Sequence, residues 1–480
     1  MKLFKIAIAT CLTLGLFTGC GSEESKPVES KDIPVATAET VSEQTTSTTP
    51  ETPAEPEEPV RDLGGMEIIL GAWGDQLEPE EKKSAQEEAT WEYRHDIMEK
   101  YNFTFAQKSV GAWDELLELL STSTMAGQPA AELFRIHANF IGAARDSGLL
   151  YDLATLDSFD LTDPKWSQPL IETMTVGDSV YAVCTFGRPS KVIFFNKRLF
   201  EESGLDPELL YDLQASGEWT WDTFLDVCEK LTHDRDNDGV YDTQAMIMNQ
   251  SVFAGAAVFS NGGNYVDKDE TGKYVLNLES PETLEALNWV VDFWATDYDI
   301  RPSHWNGHKE MFYAGQGAMY LGGEWECTTL TPELMTDDWG MVAFPKGPSA
   351  DGYMAVFSDD AFVIPASFTK EEAENIAFAY DLWTTPTPGY DDPDAWKTSL
   401  YPLYRDERAI EETITMLREP GVGISDYASL IAGNIKTGTL IEDIYWGKVS
   451  IIESIEGQKG IWQAELDKMN AAMEAAVSAQ

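Results

Sequence analysis

One short stretch of the chain places acidic side chains at regular intervals. In Asp234-Arg235-Asp236-Asn237-Asp238-Gly239-Val240-Tyr241-Asp242, carboxylates stand at alternate positions, a glycine is sixth and another carboxylate is ninth. The first nine positions of an EF-hand calcium loop have this pattern, and their oxygen ligands suit a hard cation. The predicted ligands are the side chains of Asp234, Asp236, Asp238 and Asp242 and the backbone carbonyl of Val240.

The motif departs from a complete calcium loop at its twelfth position, where Ala245 replaces the usual bidentate glutamate. Another segment or water must complete the ligand shell, which lowers the expected affinity for Ca²⁺. The alternative is a solvated, metal-free turn rich in Asp and Asn at the end of a helix. Because carboxylates this close together repel one another unless a cation lies among them, we predict a structural calcium ion.

Two tryptophans have surroundings that suit contact with a ligand. Among the 15 tryptophans of the chain, Trp73 and Trp325 follow predicted strands and stand beside glycines, where a ligand can approach the backbone closely. A sugar ring has an apolar face that a flat aromatic side chain can cover, and a rim of hydroxyls that carboxylates and amides can bind. For the other tryptophans, packing in the core is the default expectation.

The sequence lacks the short motifs of common catalytic sites. It contains no G-x-S-x-G, H-E-x-x-H or P-loop pattern, and its five histidines are scattered. The cysteines beyond residue 20 are Cys184, Cys228 and Cys327. Their odd number and the lack of C-x-x-C spacing argue against a disulfide framework and a zinc site, so we expect them to be small buried hydrophobes.

The size and charge of the chain limit its domain number and its partners. Its 480 residues, 43% of them hydrophobic, exceed what one ordinary core needs, so we expect two lobes. A formal net charge of -50 repels the phosphate backbone of nucleic acids and anionic headgroups. We therefore expect no nucleic-acid partner, and we expect the protein to act as a monomer.

The N-terminal residues have the features of an export signal. Lys2 and Lys5 precede a largely apolar run that is too short to span a bilayer, and small residues lead to Cys20. The segment Leu16-Phe17-Thr18-Gly19-Cys20 resembles the lipobox of bacterial lipoproteins, although Phe17 replaces the usual leucine. The resemblance implies a signal peptide at residues 1–19 and an acylated Cys20 that anchors an extracytoplasmic protein to the cell membrane. An ordinary secretory signal is the alternative.

Composition and periodicity divide the rest of the chain into a tether and a folded part. Residues 20–60 are rich in Ser, Thr, Glu and Pro and predict a disordered tether. From Met66 onward, predicted strands from Met66 to Leu70, Phe103 to Phe105 and Glu132 to Ile136 alternate with helices. This rhythm predicts an α/β fold with a mostly parallel sheet covered on both faces. Later helix starts are predicted at Thr220, at Ser280 and at a capping box that begins with Thr369.

Four segments of the chain follow one another in a characteristic order. They are Phe194-Phe195-Asn196-Lys197-Arg198-Leu199, Trp219-Thr220-Trp221-Asp222, Phe259-Ser260-Asn261-Gly262-Gly263 and Phe312-Tyr313-Ala314-Gly315-Gln316-Gly317-Ala318-Met319. Together they resemble the extracellular solute-binding proteins of family 1, the maltose-binding-protein-like group. The resemblance implies the type II periplasmic-binding-protein fold, in which a ligand binds between two doubly wound lobes joined by a hinge. It implies a first lobe of residues 66–183 and 358–430 and a second lobe of residues 184–357 and 431–480, which carries the Asp234 loop.

The resemblance also implies which residues contact the ligand. Trp73 and Asp75 follow the first strand, where the maltose-binding protein has a polar ligand segment, and Asn139 falls where that protein has a sugar-binding Asp. Trp325 occupies the position of a stacking tryptophan. Ile136 stands where another stacking tryptophan is expected, so the sugar is not assumed to be maltose. The other predicted contacts are Gln250, Phe253, Trp305, Asp359 and either Tyr445 or Trp446.

Together these features predict a substrate-binding lipoprotein of an ABC importer. It would capture a carbohydrate, expected to be an oligosaccharide, by hinge closure and deliver it to the transmembrane subunits of the permease without catalysis. Two alternatives stay open. One is a carbohydrate-active enzyme, a glycoside hydrolase or lyase that uses two carboxylates and a calcium ion. The other is a surface sugar sensor or adhesin on the same scaffold.

Overall fold

Two main sheets organise the part of the chain that the structure describes. The computed structural model describes residues 61–185, 188–300, 307–357, 360–390, 392, 394–432 and 437–479. The strands of the two sheets are β1 (Met66–Ala72), β2 (Phe103–Ser109), β3 (Leu133–His137), β4 (Val192–Asn196), β5 (Gln244–Ile247), β6 (Asp299–Ile300), β7 (Gly317–Gly322), β8 (Trp339–Ala343) and β9 (Asp360–Val363). Short paired strands are Thr175–Val176 with Ser179–Val180, Pro189–Ser190 with Val356–Phe357, and Val266–Lys268 with Tyr274–Leu276.

Helices cover these sheets. They are α1 (Ala85–Tyr101), α2 (Leu116–Met125), α3 (Ile141–Asp146), α4 (Gln168–Met174), α5 (Lys197–Glu202), α6 (Leu209–Ser216), α7 (Trp221–Leu231), α8 (Gln250–Ser260), α9 (Pro281–Trp294), α10 (Gly307–Tyr313), α11 (Lys370–Thr384), α12 (Trp396–Leu400), α13 (Thr415–Leu417), α14 (Ser429–Ala432), α15 (Thr439–Tyr445) and α16 (Ile451–Ala479). A π-helical turn (Ala409–Ile414) precedes α13, and 3₁₀ turns occur at Ala138–Phe140, Leu153–Thr155, Glu324–Thr328 and Tyr401–Leu403.

The first sheet has the strand order β9-β3-β1-β2. β1 pairs in parallel with β2 and β3, whereas β9 is antiparallel to β3. The sequence predicted β2 only from Phe103 to Phe105, because the apolar residues end there. The strand continues to Ser109 since its backbone bonds to β1 up to the pair Ala72 and Ser109. The ladder therefore carries polar side chains to the carboxyl edge of the sheet.

The second sheet has the strand order β6-β5-β7-β4-β8. Every residue of β4, β7 and β8 is buried, because helices pack on both faces. β5 is parallel to β6 and β7, but β4 is antiparallel to β7 and β8. The prediction of mostly parallel sheets is thus corrected in part. β4 and β9 are each the first strand of their sheet that the chain forms after it passes over from the other sheet. Each of them runs in the opposite direction to the strand or strands beside it.

The chain passes between the sheets along two adjacent connections. Pro189–Ser190 on the outward connection pairs with Val356–Phe357 on the return connection. Before the outward connection, the chain forms the short strand Ser179–Val180, and Val183 makes a single bridge to Phe362. The strands of the first sheet lie within the range predicted for the first lobe, and those of the second sheet within the other range. The lobe boundaries themselves stay a prediction, since Asp406 and Thr413 bond to Tyr211 and Gln214 on α6, beside the second sheet.

The predicted helix starts are confirmed. Thr220 and Thr369 each form a capping box, and the Ser280 side chain accepts a hydrogen bond from the Thr283 backbone. Cys184, Cys228 and Cys327 are buried, as expected. Across the residues described, none of the helices has both the length and the hydropathy that a membrane span requires.

Candidate functional site

A cavity of about 660 Å³ lies at the carboxyl edge of the first sheet, and we call it the Trp73 cavity. Parallel strands bring their carboxyl ends to one edge, where α/β proteins bind ligands. β1 leads into Trp73, β3 contributes Arg135 and His137, and β9 contributes Asp360 and Phe362. The lining is completed by Gln76, Gln107, Trp113, Cys184, Thr185, Arg188 and Trp325. Trp325 follows β7 of the second sheet, so both sheets contribute to this cavity.

Aromatic rings form much of the cavity wall. The guanidinium of Arg135 lies 4.4 Å from the centroid of the Trp73 ring. Trp113 is 53% exposed and stacks on Phe140, with ring centroids 5.8 Å apart. Trp73 and Trp325 are each half-buried, so part of each ring is accessible to a solute. Exposed aromatic faces of this kind can cover the apolar face of a small molecule.

Gly323 holds the Trp325 ring close to the backbone. A Cβ atom added at Gly323 would lie 2.3 Å from atoms of that ring, far inside van der Waals contact. The backbone at Gly323 has φ -97°, which any residue can adopt. Glycine is therefore needed here because a side chain would overlap the Trp325 ring, and not because of the backbone conformation.

Two ion pairs place charges at the cavity. Arg135 donates from Nε and Nη2 to Oδ2 of Asp360, with an Nε to Oδ2 distance of 3.1 Å. Arg188 donates to both oxygens of Glu324, with 3.1 Å between Nη2 and Oε1. Because each arginine is held by a carboxylate, its position is defined before any ligand arrives.

The Glu324 carboxylate is the centre of a buried polar cluster. Its side chain is 2% exposed and also accepts a hydrogen bond from the Tyr404 hydroxyl. Burial alone would lower the pKa of Arg188, but its bonds to Glu324 outweigh burial and raise that pKa. Burial, reinforced by the Glu324 charge, raises the pKa of the nearby Cys327 thiol to about 12. The cluster is therefore a fixed ion pair beside the cavity, with a neutral thiol next to it.

The structure brings some of the predicted site residues together. Trp73 and Trp325, which lie in different halves of the chain, line the same cavity. Asp75 is exposed nearby and its Oδ1 accepts a hydrogen bond from the Ser109 backbone at 2.7 Å. Asn139 lines a different, small cavity of about 40 Å³. Whether these residues contact a ligand stays a prediction.

Other predicted contacts lie elsewhere. Phe253 is fully buried and packs on Phe293, with ring centroids 4.9 Å apart, so it belongs to the core rather than to the cavity lining. Gln250 is the first residue of α8, which Asn249 caps. The Tyr445 hydroxyl donates to Asp299 at 3.3 Å, whereas Trp446 is 53% exposed. Trp305, Asp359 and Cys20 lie outside the described residues.

Sequence reasoning missed several residues of the Trp73 cavity, among them Trp113, Arg135, His137 and Asp360. A signal was present for two of them. Arg135 and His137 alternate with buried residues in β3, as expected for side chains on one face near the end of a strand. Asp360 bonds to Arg135 across 225 positions of the chain, a pairing that local sequence does not reveal.

The Asp234 loop lies between α7 and β5, apart from the Trp73 cavity. One oxygen each of Asp234, Asp236 and Asp242 lies within 4.8 Å of the others. Two ligands on opposite sides of Ca²⁺, each at about 2.4 Å, would be about this far apart, so the three oxygens fit one ion. Asp238 is outside this group, and its Oδ1 accepts a hydrogen bond from the Val240 backbone at 2.8 Å. A backbone hydrogen bond from Gly239 is the main cause of the lowered pKa of Asp234, which keeps this carboxylate ionised.

Comparison with known proteins gives a family match. A model of the family described as bacterial extracellular solute-binding protein matches residues 92–397. An uncharacterised ABC transporter extracellular-binding protein of Pyrococcus horikoshii is 26% identical over 276 residues. That alignment covers 55% of this chain and 57% of the relative, so the chain spans little more than half the length of the curated protein that it matches.

Solved structures with the same fold cover most of the chain. An ABC substrate-binding protein of Listeria monocytogenes in complex with cycloalternan has a TM-score of 0.56 and 16% identity, covering 85% of this chain and 99% of its own. A cyclic α-maltosyl-1,6-maltose binding protein of Arthrobacter globiformis has a TM-score of 0.57 and 15% identity, with coverages of 86% and 100%. UgpB of Mycobacterium tuberculosis in complex with glycerophosphocholine has a TM-score of 0.59 and 16% identity, with coverages of 84% and 99%. At these identities the likeness shows the fold, a type II periplasmic-binding-protein architecture.

Proposed function

The chain belongs to the bacterial extracellular solute-binding protein family, and from this premise we propose that it captures a carbohydrate and delivers it to the permease of an ABC importer. The expected ligand is an oligosaccharide, held in the Trp73 cavity when the two lobes close by hinge motion. Two of the proteins with this fold are described by oligosaccharide ligands. One is in complex with cycloalternan, and the other is a cyclic α-maltosyl-1,6-maltose binding protein.

One observation carries the proposal: tryptophans from both sheets line a single cavity that also contains fixed polar groups. Trp73 and Trp325 offer ring faces, while Gln76, Gln107 and Thr185 offer donors and acceptors for hydroxyls. Ligand sites in proteins are commonly apolar pockets of about 300–1,000 Å³ with a few convergent polar groups. The Trp73 cavity has both the size and the lining of such a site.

The geometry favours binding over hydrolysis. A glycosidase needs two carboxyl groups that face the scissile bond, one of them as a proton donor. Asp360, which lines the Trp73 cavity, and Glu324, which is bound to the lining residue Arg188, each bind an arginine through their side-chain oxygens. These bonds direct the oxygens toward the protein, so we propose that the ligand leaves unchanged.

The test is the affinity of the Trp325→Ala variant for a panel of neutral oligosaccharides and glycerophosphocholine, measured by calorimetry. We expect one or more oligosaccharides to bind the wild type and to lose about tenfold or more in affinity in the variant, which is about 1.4 kcal/mol. The melting temperature should change little, because the ring is only half-buried. Ile461→Ala, which removes an exposed apolar side chain on α16, is the control. Wild-type affinity in Trp325→Ala, or a large loss of thermal stability, contradicts the assignment.

We also propose that the Asp234 loop binds a structural calcium ion. The support is the spacing of its carboxylates together with three oxygens close enough to share one ion. Asp234, Asp236 and Asp242 would be direct ligands, and water or the carbonyl of Val240 would complete the shell. Nothing in the Trp73 cavity depends on this ion, so its role is to hold the loop.

Finally, we propose that the protein is a monomer held at the outer face of the cell membrane by acyl chains on Cys20. The support is the sequence around Cys20, which resembles a lipobox, and the family match to extracellular proteins. Residues 20–60, which the sequence predicts to be a tether, would connect this anchor to the binding domain.

A further inference from the structure

A second cavity, of about 850 Å³, adjoins the Trp73 cavity, and we call it the Arg94 cavity. Gln76, Gln107, Thr185 and Phe362 line both cavities, so the two share a wall. The far side of the Arg94 cavity is formed by α1, by α11 and by the segment around Trp396. The two cavities are therefore immediate neighbours.

Arg94 is held between aromatic rings at this cavity. Its guanidinium carbon lies 4.0 Å from the centroid of the Trp383 ring and 4.8 Å from that of Trp91. No hydrogen-bond acceptor for its buried Nε is present among the residues that the structure describes. Burial lowers the pKa of Arg94 to about 10, so the group is still cationic at neutral pH. A stacked, cationic guanidinium that lines a cavity is suited to bind an anion in its plane.

The Arg94 cavity has two further cations and two carboxylates in its lining: Arg418, Lys165, Asp163 and Asp392. Arg418 lies 3.9 Å from the centroid of the Trp396 ring, and burial lowers its pKa to about 10 as well. Lys165 is paired with Asp381 at 2.7 Å. The whole chain has 83 acidic and 33 basic residues, so arginines gathered in one cavity are contrary to its overall composition. In a protein that repels anions over most of its surface, such a cavity is where an anionic group would bind.

We propose that the Arg94 cavity binds the anionic substituent, a carboxylate or a sulfate, of an acidic oligosaccharide whose neighbouring units lie in the Trp73 cavity. This inference rests on the proposed carbohydrate-binding function and narrows its substrate class. The guanidinium of Arg94 forms the direct contact, and Arg418 adds positive potential. A neutral sugar would leave the Arg94 donors without a charged acceptor, so the site discriminates in favour of acidic sugars.

The test is calorimetry of the purified full chain with three probes: trigalacturonate, its fully methyl-esterified neutral form, and a κ-carrageenan tetrasaccharide. The first and third probes distinguish a carboxylate from a sulfate. Arg94→Gln removes the charge, Arg94→Lys retains it without the planar fork, and Lys468→Gln is a control that removes an exposed cation on α16. Melting temperatures establish that each variant is folded, and Arg418→Gln is a second variant at the same cavity.

We expect at least one acidic probe to bind about tenfold or more tightly than the neutral ester. Arg94→Gln should abolish most of that preference, Arg94→Lys should retain part of it, and Lys468→Gln should leave it unchanged. Equal binding of acidic and neutral probes, or an undiminished preference in Arg94→Gln, overturns the inference. If neutral sugars still bind in a Trp325-dependent way, the proposed function stands without it. If no saccharide of either kind binds, both fail.

Discussion

At the scale of single residues, the Trp73 cavity depends on side chains that are fixed by their neighbours. Arg135 lies over the Trp73 ring and is bound to Asp360, and Arg188 is bound to the buried Glu324. The Trp325 ring lies against Gly323. Fixed side chains lose little conformational freedom when a ligand binds, which favours affinity.

The residue-scale prediction concerns Gly323→Ala. The new methyl group would occupy the place of the Trp325 ring, so the ring must turn away from its present position. We expect oligosaccharide affinity to fall about tenfold, and the free energy of unfolding to fall by about 1–3 kcal/mol from overpacking. Tryptophan fluorescence titration and thermal melts measure the two effects. Gly352→Ala is the matched control, because an added Cβ there meets nothing within 4 Å. Unchanged affinity in Gly323→Ala would mean that the ring position does not matter for binding.

At the scale of elements, the connection from α7 to β5 illustrates how a loop positions its carboxylates. His233 and Thr243 form a bridge that closes the loop, and Asn237 and Gly239 adopt left-handed backbone with φ of 59° and 89°. The left-handed conformation at Gly239 is one that favours glycine, which explains its place in the motif. The folded backbone brings one carboxylate oxygen each of Asp234, Asp236 and Asp242 within 4.8 Å of one another.

The element-scale prediction is that Ca²⁺ stabilises the protein through this loop. A ligand that binds only the folded state adds about 2.7 kcal/mol when present at a hundred times its Kd. We therefore expect the melting temperature to rise by several degrees with millimolar Ca²⁺ and to fall on addition of EDTA. Asp236→Asn should remove most of this response, whereas Asp351→Asn, an exposed carboxylate elsewhere, should not. A melting temperature that is insensitive to both Ca²⁺ and EDTA would rule out the site.

At the scale of the whole molecule, the proposed role requires a binding domain that stays beside its permease. One acyl chain holds a protein to a membrane only marginally, but two or more hold it stably. We predict that Cys20→Ser shifts the protein from the membrane fraction to the medium, as followed by immunoblotting of fractionated cells. Ser22→Ala, next to the same site, should leave it in the membrane fraction. Membrane retention of the Cys20→Ser protein would point to a different mode of attachment.

The sequence by itself determined the helix starts and strands, which depend on residues close together along the chain. The helix starts at Thr220, Ser280 and Thr369 and the first three strands were predicted close to their positions, because caps and apolar runs are local signals. The family resemblance added the fold, and it identified Trp73 and Trp325 as the leading tryptophans before their common cavity was known.

Only the tertiary structure decided which distant residues meet. It assigned Phe253 to the core, gave β4 and β9 their antiparallel directions, and brought Arg135 to Asp360 and Arg94 to Trp383. The Arg94 cavity has no counterpart in any local motif. Contacts of this kind are made when packing brings together segments that are hundreds of residues apart, and spacing along one strand or helix carries no information about them.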